Sequence, residues 1–115
     1  MRKMLALGLL AGLVAALFVA GPALSKRRTV EVDDNYFVRE GSPPTVRVRR
    51  NDTVVWEWEG RTREPHNVTV TRGPVRFHSR NQRSGTYRKK MTRRGTYRIV
   101  CTIHAPQMRM TLRVR

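Results

Sequence analysis

Cysteine is almost absent. The 115-residue chain holds one, Cys101, so no disulfide can form within it. Acidic residues are scarce too: 8 Asp and Glu stand against 24 Lys and Arg, a formal net charge of +16. Helical patterning is missing from residue 26 onward, where no stretch carries an apolar stripe at 3.6-residue spacing. There is no internal repeat, no low-complexity tail and no Met-rich or His-rich tract. What is left fits one small sheet-built domain that stands without cross-links.

The one long apolar run is at the start. "MRKMLALGLLAGLVAALFVAGPALS" opens with Arg2 and Lys3, continues apolar from Met4 to Ala20, and closes on small residues. That is the layout of a secretory signal helix. The run is short of the roughly 20 residues that span a bilayer. Small residues at Ala23 and Ser25 predict cleavage after Ser25, with cleavage after Ala23 as the second choice and an uncleaved anchor as the alternative. The expected organisation is a signal peptide over 1–25 and one domain over 26–115, periplasmic or secreted. A lone cysteine in an exported protein is a free thiol, an intermolecular partner or a metal ligand.

Without Arg2 and Lys3 the balance is 22 basic against 8 acidic residues. Such a chain first points to nucleic acid, but export argues against that partner. An acidic protein surface fits better, with an anionic membrane or envelope surface as a second candidate.

From residue 28 the pattern has period two. "TVEVDD", "TVRVRR", "DTVVWEWEG", "HNVTVTR", "GTYRIVC" and "MRMTLRVR" alternate apolar with polar residues. Turn-forming clusters such as "EGSPP", "RND", "RGP" and "RRG" separate them. Seven or eight short strands of this kind predict an all-β antiparallel sandwich or barrel. Trp56 and Trp58 are expected on opposite faces, one in the core and the other partly exposed. Met91, Phe37 and Tyr97 read as core, and His78 has no neighbour that points to a role.

The chemistry gathers near the end, in "YRIVCTIHAPQMRM". Cys101 ends one alternating strand, His104 follows in the turn, and Met108 and Met110 begin the next strand. Such a hairpin projects a thiol, an imidazole and a thioether from one short loop. His66, at the start of "HNVTV", can lie at the same sandwich edge. A thiolate, two imidazoles and a thioether form the donor set expected for mononuclear copper. Thiolate is soft, imidazole suits both oxidation states, and thioether binds weakly. Zinc is the competitor, although Met is an unusual ligand for it.

Residues 28–115 resemble the plastocyanin-like cupredoxins, the type 1 blue copper family of plastocyanin, amicyanin and pseudoazurin. "VEVDDNYF" is similar to their first strand and "VRVRRNDTVVWEWEG" to a strand pair ending in Trp. "EPHNV" resembles the loop of the first His ligand, and "RGTYRIVCTIHAPQM" the Cys-His-Met loop. The resemblance implies a Greek-key β-sandwich holding one copper ion. It makes His66, Cys101 and His104 ligands, Met108 the axial sulfur with Met110 as alternative, and Asn67 a tie between the ligand loops. It implies a monomeric one-electron carrier between redox partners, not an enzyme; copper delivery or storage in the envelope is the alternative. No acid–base pair is expected near the site.

Overall fold

The computed structural model describes residues 24–38 and 44–115. The expected signal helix lies almost wholly outside them. Among the described residues eight strands form: β1 Arg27–Asp33, β2 Tyr36–Phe37, β3 Thr45–Val48, β4 Thr53–Trp58, β5 Thr69–Arg72, β6 Thr86–Lys90, β7 Gly95–Val100 and β8 Arg109–Val114. They build two four-stranded sheets, ordered β2-β1-β4-β6 and β3-β8-β7-β5. Among the described residues there is no helix.

Alternation decides which side chains fill the space between the sheets. Val46 and Val48 of β3, Tyr97 and Ile99 of β7, and Met110, Leu112 and Val114 of β8 are buried. Opposite them stand Val30 and Val32 of β1 with Val54, Trp56 and Trp58 of β4. Each fully buried aliphatic or aromatic chain contributes about 1.5–3 kcal/mol. The expectation for the tryptophans is corrected: residues two apart on a strand share a face, so both are inside, at 0% and 3% exposure. Phe37, Tyr97 and Met91 are core as expected. Gly73 has φ +157 and packs on Tyr97, whose ring Cδ1 would stand 2.7 Å from any Cβ added there.

Pairing is not antiparallel throughout. β1 runs parallel to β4, and β3 parallel to β8. Strands distant in sequence meet there, as a Greek key requires. The antiparallel hairpin β7–β8 keeps strict register, with Val100 opposite Arg109. That register fixes both ends of the loop carrying Cys101 and His104.

Candidate metal centre

Cys101 follows the last residue of β7. Its backbone N–H donates to the Met108 carbonyl at 3.1 Å, closing the loop at its base. Within the loop, His104 N–H donates to the Cys101 carbonyl and Met108 N–H to the His104 carbonyl, both at 3.2 Å. These turns fold the His104 ring back over the thiol. His66 arrives from the segment ahead of β5. It exchanges two backbone hydrogen bonds with Gln82, each 3.0 Å, and its side chain is fully buried.

The three groups converge. The Nδ1 atoms of His66 and His104 are 3.2 Å apart, and the Cys101 sulfur lies 3.9 Å from the first and 3.6 Å from the second. Two bare ring nitrogens at that separation repel unless a proton or a cation lies between them. The centre of this triangle is about 2.1 Å from each corner, close to the length of a metal–imidazole or metal–thiolate bond. The donors therefore fit one small soft cation. Cys101 is buried, so its sulfur is shielded from water.

Asn67 joins the segments that carry His66 and Cys101. Its Nδ2 donates to Thr102 Oγ1 at 2.7 Å and to Asn81 Oδ1 at 2.8 Å. Its Oδ1 accepts from Thr102 N–H at 3.1 Å and from Thr69 Oγ1 at 2.8 Å. The residues beside His66 and Cys101 are thus held to one another.

The two methionines differ. Met108 is fully buried at the end of the loop that carries Cys101 and His104. Met110 belongs to β8, and its sulfur accepts the indole N–H of Trp56 at 3.5 Å. His78 stays apart, bridging Thr69 and using Nδ1 on the Ser79 carbonyl.

Two residues escaped the sequence reading. Asp34, in the turn after β1, puts Oδ1 2.9 Å from His66 Nε2. Glu64 puts Oε2 2.5 Å from His104 Nε2. The expectation of no acid–base pair near the site is corrected, because both rings carry a carboxylate on their outer nitrogen. Asp34 also accepts from the backbone N–H groups of Arg63 at 3.0 Å and Glu64 at 3.2 Å. The Arg63 hydrogen bond first, then that of His66, hold its carboxyl down at about 2. No local pattern marks Asp34, which lies 32 positions from His66. The one signal for Glu64 is its place two residues before the histidine in "EPH".

Comparison with known proteins bears on what this triangle holds. A family model for copper binding proteins of the plastocyanin/azurin family matches residues 28–115. No curated protein sequence matches the chain. Among solved structures, an oxidised methionine-to-lysine variant of amicyanin is similar at TM-score 0.62 and 26% identity, over 77% of this chain and 82% of that one. The Cu(I) form of a methionine-to-alanine variant of amicyanin gives 0.63 and 27%, over 84% and 88%. A copper-containing nitrite reductase from Thermus scotoductus SA-01 gives 0.64 and 27%, over 84% of this chain but 24% of that one. The two sheets, the converging thiol and imidazoles, and the family match over the whole domain agree: the chain belongs to the plastocyanin/azurin family of copper binding proteins.

Proposed function

We propose that this protein is an exported one-electron carrier whose copper is held by Nδ1 of His66, the thiolate of Cys101 and Nδ1 of His104, with the Met108 sulfur as a weak fourth donor. The observation that supports it most is the buried triangle of two imidazole nitrogens and one sulfur, sized for a single ion. Copper, when bound, supplies the Cu(I)/Cu(II) couple. The chain's part is to keep the donors still. β7 and β8 fix Cys101 at the base of its loop, the Gln82 bridge fixes His66, and Asn67 ties the two together. Donors that do not move between oxidation states keep reorganisation small. The engagement of Met110 with Trp56 favours Met108 as the axial sulfur.

The surface favours an acidic redox partner. Residues 65–115 contain 13 Lys and Arg and no Asp or Glu. On the sheet β3-β8-β7-β5 the exposed arginines gather: Arg47 pairs with Arg113 and Arg72 with Arg98, with Arg109 at the ligand-loop end. Beside His104, Ile103 is 44% exposed, an apolar contact point at the site's rim. Positive charge around an apolar spot speeds encounter with an acidic protein and makes it salt-dependent. The signal-like layout of residues 1–25 supports an encounter in the periplasm or outside the cell.

Voltammetry of the purified protein with one equivalent of copper tests the proposal. A reversible one-electron wave with fast exchange is expected. Binding without a reversible wave would favour copper storage or delivery instead.

A further inference from the structure

We propose that Asp34 and Glu64 are positioning residues of the copper centre, each clamping one imidazole by its outer nitrogen so that Nδ1 of both rings is left bare and aimed at the thiolate. This rests on the ligand reading above and extends it to two residues outside the donor set. An ionised carboxylate only accepts hydrogen bonds. Nε2 of His66, 2.9 Å from Asp34, and Nε2 of His104, 2.5 Å from Glu64, must therefore carry the proton in a neutral ring. The opposite nitrogen is then unprotonated, which is the form a metal accepts. Without the clamp, a ring can change tautomer or flip and present carbon to the site.

The two clamps are mechanically linked. The Asp34 carboxylate holds the backbone N–H groups of Arg63 and Glu64. Thr62 steadies the same segment, its hydroxyl donating to the Glu64 carbonyl at 2.8 Å and its N–H to the Arg83 carbonyl at 2.9 Å. Glu64 leaves this braced segment and reaches His104. One turn after β1 thus orients His66 directly and His104 through Glu64. The partners differ in setting: the His66 side chain is fully buried, whereas the Glu64 side chain is 60% exposed. Removing Glu64 therefore tests the clamp without opening the core. Two negative charges behind the rings also favour the more positive oxidation state, so they act on the potential as well as on geometry.

The test uses the full chain as wild type, Glu64→Ala, Glu64→Gln and Asp34→Asn. In the apoprotein, imidazole nitrogen NMR reads the tautomers. In the copper-loaded protein, competition titration reads Cu affinity and voltammetry reads potential. Wild type is expected to show both rings protonated at Nε2, with no more than one further proton, shared between the two Nδ1 atoms. Glu64→Ala should give a mixed His104 tautomer and lose about 10–100-fold in copper affinity, the usual effect of removing such a partner. Glu64→Gln keeps an acceptor without the charge. It should restore the tautomer and most of the affinity, yet still raise the potential, as should Asp34→Asn. Unchanged tautomer, affinity and potential in Glu64→Ala would overturn the proposal. The apoprotein spectra judge the clamps even where no blue centre forms, a result that would sink the ligand reading alone.

Discussion

Asn67 and Thr102 exchange two hydrogen bonds, side chain to hydroxyl at 2.7 Å and backbone N–H to side chain at 3.1 Å. Each is the chain neighbour of a donor, His66 on one side and Cys101 on the other. The bonds therefore couple two segments 35 residues apart at the point where their spacing matters. Asn67→Ala removes the four hydrogen bonds of a buried side chain, and a loss of about 1–3 kcal/mol is expected. Chemical denaturation of the apoprotein measures that loss. Slower electron self-exchange in the copper form would report the loosened site.

Met108 and Met110 should separate cleanly. Met110→Leu replaces a core side chain by one of similar volume and should cost less than about 1.5 kcal/mol, with the visible spectrum unchanged. Met108→Leu should keep copper but change the paramagnetic resonance spectrum. It should also raise the potential, since an apolar group there disfavours the more highly charged ion. The opposite pattern would make Met110 the axial sulfur.

Asp52 offers a test away from the metal. Its carboxylate accepts the backbone N–H of Lys26 and of Arg49, each at 2.8 Å, and these bonds hold its carboxyl below 3.8, the Lys26 bond first. A lowered value in the folded state adds stability above the ordinary carboxyl value, lost as pH falls through the lowered one. Asp52→Asn should therefore destabilise the protein at pH 7 and make little difference in strong acid. Denaturant midpoints at the two pH values measure this; an equal deficit at both would contradict it.

The arginine-bearing sheet should show itself in kinetics. Oxidation of the reduced copper protein by an anionic oxidant such as hexacyanoferrate(III) should slow as salt rises. Arg98→Gln with Arg109→Gln should lower the low-salt rate by up to about tenfold. A rate indifferent to salt and to these changes would place docking elsewhere.

Much of this molecule was legible from residue order. Strand alternation is local, so β1, β3, β4, β7 and β8 show in the pattern of Val, Tyr, Ile and Leu. Cys101 and His104 share one short loop, so their meeting needs no tertiary knowledge. His66 could be placed by residue type and strand start, but its distance to the sulfur follows from how the two sheets pack. Asp34 could not be read, since the contact of a β1 turn with a ring 32 positions away has no local signature, and Glu64 shows only as a near neighbour of His66, not as a partner of His104. The parallel pairings of β1 with β4 and β3 with β8 were invisible for the same reason. Putting Trp56 and Trp58 on opposite faces is an error of period, since alternation sets residues two apart on the same face.

The most direct test is to add one equivalent of Cu(II) to the purified protein and record visible and paramagnetic resonance spectra. An intense blue band with narrow copper hyperfine splitting, lost in Cys101→Ser, is the predicted result. A colourless product with ordinary tetragonal copper signals would contradict the account.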